Sequence, residues 1–144
     1  MISIQFPNHP FNIKQTDDRE LIFDELRKQW LLLTPEEWVR QNFIQYLLQT
    51  LQYPKSLMAV EKEIVVGELR KRFDLVLYNK QGQPWMLVEC KAMHISLADN
   101  VIDQALRYNQ SLGAVYLVIT NGTFTRCFQL QPQLQEVSVM PAWV

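Results

Sequence analysis

Apolar and polar positions repeat with a period of two over the middle of this chain. Phe73, Leu75 and Leu77 alternate with Asp74, Val76 and Tyr78, while Trp85, Leu87, Glu89 and Lys91 alternate with Met86, Val88 and Cys90. Successive side chains of a strand point to opposite faces, so each run reads as a strand. Between them Asn79-Lys80-Gln81-Gly82-Gln83 is turn chemistry, and the whole predicts a β-hairpin. With the turn centred between Gln81 and Gly82, opposed residues have numbers summing to 163, which pairs Tyr78 with Trp85, Val76 with Leu87 and Asp74 with Glu89. A slip of one residue would send every side chain to the other face. Both faces are mostly apolar, the pattern of a central hairpin covered on each side.

Elsewhere the period changes. Residues 1–16 read as an extended arm, interrupted by Pro7 and Pro10. Asp17 to Leu33 fits a helix or helical turn followed by a short extended run, with Leu21, Phe23, Leu26, Trp30 and Leu33 on its apolar side. Thr34-Pro35-Glu36-Glu37 opens a helix: Thr34 caps, Pro35 suits the first position and Glu37 completes a capping box. Val39, Phe43, Tyr46, Leu47 and Leu51 carry that helix to about Gln52. Val60 to Val66 predicts a strand, with Glu61 and Glu63 on one face as a wet edge or as ligands. After a connection that holds His94, Ala98 to Leu112 predicts a second helix, which Gly113 ends. Ala114 to Thr120 is nearly all apolar, as a buried strand would be. Asn121-Gly122 is a hairpin turn, Thr123 to Leu130 a further strand, and Glu136 to Met140 a last edge strand. A helix between the hairpin and a buried strand implies a crossover. The expected class is therefore α/β, a mixed central sheet flanked by helices, in one domain over residues 1–144.

Composition narrows the function classes. A hydrophobic fraction of 48% and a charged fraction of 20% suit a globule. Net charge is -1, so nucleic-acid binding would need a local patch rather than a whole-molecule field. Two cysteines outside any metal-ligand spacing read as reduced thiols of a cytoplasmic protein. Neither a signal peptide nor a membrane-length apolar run is visible.

The hairpin also carries charge where buried strands usually do not. Carboxylates directly opposed, with Cβ atoms about 4.5–5.5 Å apart, repel one another. Asp74 and Glu89 would thus call for a cation between them, and oxygen ligands suit Mg²⁺ or Mn²⁺. Pairing with a basic neighbour is the plain alternative, since Arg70, Lys71 and Arg72 lie just upstream. Those three are either wet surface or a phosphate-binding run leading into Asp74. Glu37 is explained by capping, or leans toward the Asp74–Glu89 pair.

Asp74 followed by Glu89-Cys90-Lys91 resembles the PD-(D/E)XK nuclease signature, an Asp on one strand and Glu-x-Lys on the next. More closely, Thr34 to Gln41, Arg72-Phe73-Asp74, Val88 to Ala92, Gln104 to Asn109 and Thr120-Asn121-Gly122 resemble the nuclease-type N-terminal domain of the type I restriction enzyme R subunit. The resemblance implies a restriction-endonuclease-like fold and Mg²⁺-dependent hydrolysis of DNA, with Mn²⁺ as a substitute. It implies that Asp74, Glu89 and the backbone carbonyl of Cys90 hold the metal, Glu37 being a further candidate. Lys91 would act on the attacking water, and Gln104 and Tyr108 match the family's Gln-x-x-x-Tyr substrate-positioning motif. R subunits continue into ATP-driven motor domains. This sequence ends at Val144 without a Gly-x-x-x-x-Gly-Lys-Ser/Thr loop, so no ATP site is expected in it. A free-standing nuclease, a subunit of a restriction-like complex, and a non-catalytic nucleic-acid- or protein-binding module all fit.

Overall fold

The computed structural model describes residues 1–143. Its centre is a six-stranded sheet of β4 (Met58–Val66), β5 (Leu69–Tyr78), β6 (Pro84–Cys90), β7 (Tyr116–Thr120), β8 (Thr125–Gln129) and β9 (Gln135–Val137), in that spatial order. Only β6 and β7 run parallel. Helix α2 (Asp99–Leu112) makes the crossover between them, as a parallel connection requires. Alternation along β6 and β7 then divides two apolar cores. Met86, Val88, Cys90 and Val118 pack with Val39 and Phe43 of α1 (Pro35–Gln45) and with Leu47 just beyond its end. Leu87, Leu117 and Ile119 pack with Ile102, Ala105 and Tyr108 of α2.

The hairpin register agrees with the expected sum from Leu75↔Val88 to Leu77↔Met86. It then shifts, so that Tyr78 pairs with Pro84 rather than Trp85. Proline has no N–H to give a ladder, and the irregularity falls where the strand begins with one.

A second irregularity bears on the site. β4 pairs with β5 through Val60↔Leu75 and Lys62↔Phe73, but the ladder skips Glu61, which takes φ +53° opposite Asp74. Positive φ is uncommon outside glycine, and a residue that adopts it re-aims the strand. Across this break the faces exchange. Val60 and Leu75 join the α1 core, whereas Ile64 and Phe73, of the same parity, join the α2 core.

Two expectations from the pattern are corrected, for residues 17–33 and for the last strand. Residues 17–33 are not helical: β1 (Ile13–Thr16), β2 (Arg19–Asp24) and β3 (Gln29–Leu32) form an antiparallel meander. Two tight reversals set it, at Asp17 (φ +51°) and between Asp24 and Gln29, where the Asp24 carboxylate accepts from the Leu26 and Arg27 N–H groups and Lys28 takes φ +59°. Its inward face is Ile22 and Asp24, not the Leu21–Phe23 side. The first α-helix stops at Gln45, continues as one π-helical turn (Tyr46–Thr50) and ends at Gln52 with φ +57°. The last strand is Gln135–Val137, shorter and earlier than 136–140. The arm of residues 1–16 is tied down at both ends, by Ile2 bridging to Thr125 and by β1. Among the described residues no helix is long and apolar enough to cross a membrane.

Candidate active site

The N-terminus of α1, the break in β4 and β5, and the end of β6 surround a polar cavity of about 250 Å³, lined by Glu37, Arg40, Glu61, Lys71, Asp74, Glu89 and Lys91 among others. Each element brings its residue for a local reason. Thr34 Oγ1 accepts the Glu37 N–H at 3.0 Å and starts α1. The Glu37 side chain does not close a capping box, because the Thr34 N–H already bonds to the Leu32 carbonyl. It turns inward instead, buried, to meet Arg40 and Gln41. Glu37 thus lies in the wall of the cavity, with Arg40 between it and Asp74.

Asp74 and Glu89 are both buried and line the same cavity. The regular ladder ends at Leu75↔Val88, and beyond it the Cys90 N–H donates to Asp74 Oδ2 at 2.8 Å. A side chain thus takes over from a backbone carbonyl, which fixes Asp74 beside the Glu89–Lys91 step. Burial, and then the Glu89 carboxyl, push the Asp74 acid well above the ordinary carboxylate range. Lys91 lines the same cavity, its backbone N–H donating to the Thr120 carbonyl at 2.8 Å. Among the described residues Lys91 enters no ion pair, unlike Lys71, whose Nζ lies 3.1 Å from Glu89 Oε2.

Two residues of the site were not foreseen as such. Arg40 sits among three carboxylates. It is paired with Glu37, its Nη1 is 2.8 Å from Glu61 and 3.3 Å from Asp74, and burial fails to lower its proton affinity because those anions outweigh it. Glu61, read from the sequence as a wet edge or a ligand, bridges Arg40 and Arg27 instead, and its pKa is lowered: burial opposes this, but the guanidinium contacts prevail. The signal for Arg40 was present in its spacing of three from Glu37, which puts both on one helix side. The signal for Glu61 lay in its backbone conformation, which sequence does not reveal.

The basic run does not act as a unit. Arg70 is exposed on Glu63, Lys71 is held by Glu89, and only Arg72 and Lys71 reach the cavity. Gln104 is exposed and outside the cavity lining. Tyr108 is buried, its ring edge-on to Phe73 at 5.8 Å between centroids, so it supports the strand that carries Asp74 from below. His94 lines a separate, mostly apolar pocket with Trp38 and Met93.

Among the described residues no three His, Cys, Asp or Glu side chains are gathered to hold a metal ion. Two facing carboxylates are present, however. Mg²⁺ commonly binds through one or two carboxylates and retains water, so the donor set fits that ion rather than a closed four-ligand centre.

The comparisons agree on the scaffold. Residues 35–142 match the family described as "Type I restriction enzyme R protein N terminus (HSDR_N)". A crystal structure from Anabaena variabilis, of a DUF820 protein described as a candidate nuclease, superposes with a TM-score of 0.50 at 9% identity, covering 88% of this chain and 80% of that one. At that identity the likeness concerns the fold alone, which is restriction-endonuclease-like. No curated protein matches the chain.

Proposed function

The chain belongs to the family of type I restriction enzyme R protein N-terminal regions, and from that premise we propose that it hydrolyses phosphodiester bonds in DNA with Mg²⁺ at the Asp74–Glu89 site. The observation that carries this reading is the pair of mutually close, buried carboxylates with Lys91 in the same polar cavity. Asp74, Glu89 and the backbone carbonyl of Cys90 would hold the ion, while Glu37 is engaged by Arg40 and Gln41 and stands behind them. When bound, such an ion acidifies water and offsets phosphate charge. The chain's own contributions are distinct. Lys91, in no ion pair among the described residues, orients the attacking water and faces the charge that develops on phosphorus oxygens. Arg72, exposed at the cavity, receives a backbone phosphate. Gln104 stands exposed on α2, where it can meet DNA only outside the cavity.

Cleavage of plasmid DNA with Mg²⁺ and with Mn²⁺ tests the proposal. Replacing Lys91 with Ala should lower the rate by about 10²–10³, the loss typical of one transition-state electrostatic contact, with Mn²⁺ affinity kept. Equal cleavage by wild type and Lys91→Ala would refute it.

A second reading is a binding module that keeps the fold without turnover. Arg40 on Asp74 favours it, since a guanidinium already supplies positive charge there. Calorimetric Mn²⁺ titration separates the two, because such a module has no need of the ion.

A further inference from the structure

Asp74 has both oxygens engaged: Oδ2 accepts from the Cys90 N–H at 2.8 Å, and Oδ1 faces Arg40 Nη1 at 3.3 Å. The two contacts differ in kind. The first is backbone geometry. The second is the longest of the guanidinium's carboxylate contacts, for Arg40 is bound on two sides to Glu37 and lies 2.8 Å from Glu61. Glu61 is itself held from behind by Arg27 Nη1 at 3.0 Å, and Arg27 by the fully buried Asp24. Arg40 is thus anchored away from Asp74 and leans on it with one nitrogen.

We propose that Arg40 is a resident counter-ion: it offsets the negative charge of the Asp74–Glu89 pair while no divalent cation is bound, and releases Asp74 Oδ1 to that cation while remaining anchored on Glu37 and Glu61. The inference rests on the reading of Asp74 and Glu89 as cation ligands. Three features favour an exchange over a permanent ion pair. A guanidinium among three carboxylates loses only one partner in letting Asp74 go. Glu61, at φ +53° where the strand ladder is interrupted, is the anchor that keeps the guanidinium from following. A divalent ion placed against Asp74 would repel Arg40 toward those same anchors. Arg40 is therefore a positioning residue, and it also sets how tightly the ion is held.

The test reads metal affinity. Removal of a unit positive charge within about 4–6 Å of a charged site changes its equilibrium by roughly one to three log units, so Arg40→Met should bind Mn²⁺ at least tenfold more tightly than wild type in calorimetry. Arg40→Lys, which keeps a charge, should stay near wild type. Because Arg40→Met strands three carboxylates, Arg40→Met/Glu61→Gln restores part of the balance and should also bind tightly. A measurement on wild type needs no substitution. During Mg²⁺ titration the Arg40 Nη resonances should shift with occupancy while Nε, held by Glu37, stays fixed. Tighter Mn²⁺ binding by either Met variant together with the Nη shift in wild type supports the exchange. Affinity equal to or weaker than wild type in both Met variants, or Nη signals that ignore bound Mg²⁺, overturns it and leaves the cation site standing. Absence of binding in wild type and every variant overturns the cation site itself, and the exchange with it.

Discussion

The β5–β6 hairpin and the β1–β3 meander are both antiparallel and both built of short alternating runs, yet they are held by different forces. From Phe73 to Leu77 and from Trp85 to Cys90 every residue is buried, with α1 covering one face and α2 the other. In the meander β1 is exposed along its length, and only Ile22 and Asp24 are buried in β2. Its outer face relies on surface aromatic contacts, Phe23 against Trp30 at 5.3 Å and Lys14 over Trp30 at 4.2 Å. Its grip on the site is ionic, through Asp24, Arg27 and Glu61. The hairpin places the carboxylates by packing, whereas the meander adjusts their surroundings by charge.

Substitutions can break this contrast at either end. Leu87→Ala removes a fully buried β6 side chain from the core beneath α2, and should cost about 2–5 kcal/mol in urea unfolding, with any cleavage activity falling in step. Arg27→Met should cost less, about 1–3 kcal/mol, by leaving Asp24 buried with only its two backbone donors. This loss should shrink as added salt screens the outer part of the network, while the Leu87→Ala loss should not. The smallest effect has the opposite sign. In the folded, metal-free protein Asp74 holds its proton more tightly than at the ordinary value of 3.8, through burial and the Glu89 carboxyl. Above that value the unfolded chain releases the proton first, so Asp74 makes stability fall as pH rises toward its folded pKa. Asp74→Asn should therefore raise the melting temperature of the metal-free protein near neutrality and flatten its pH dependence, by less than either loss. An Asn variant less stable than wild type at neutral pH would show that Arg40, rather than Glu89, dominates the Asp74 environment.

The same contrast explains what could be read from sequence. The hairpin, its register up to Leu77, both helix starts and the crossover follow from period, capping and turn residues, because burial on two faces leaves few other solutions. Residues 17–33 misled for the reverse reason. In Arg19-Glu20-Leu21-Ile22-Phe23-Asp24 three consecutive apolar residues favour no single period, and the buried position beside Ile22 is a carboxylate whose partner comes three residues later. Asp74, Glu89 and Lys91 could be brought to one region from strand parity alone. The role of Arg40 and the bridge through Glu61 could not, since they depend on a positive φ in β4 and on contacts among three separate elements. Tyr108 lay on the foreseen helix, but its burial against Phe73 was set by the exchange of faces at the strand break.

Cys90 and Cys127 are the only cysteines of the chain, and both are buried in the core beneath α1. Burial holds the Cys127 thiol up at about 12, while burial together with the Asp74 and Glu89 charges holds Cys90 well above its usual value. Neither is a thiolate nucleophile at neutral pH, and a thiol reagent must wait for the protein to open. Cys90 lies between Glu89 and Lys91, whereas Cys127 lies two strands away on β8. The chain thus carries two internal clocks. Matching labelling times mean that the sheet opens as a whole, and a faster Cys90 means that the cleft breathes by itself.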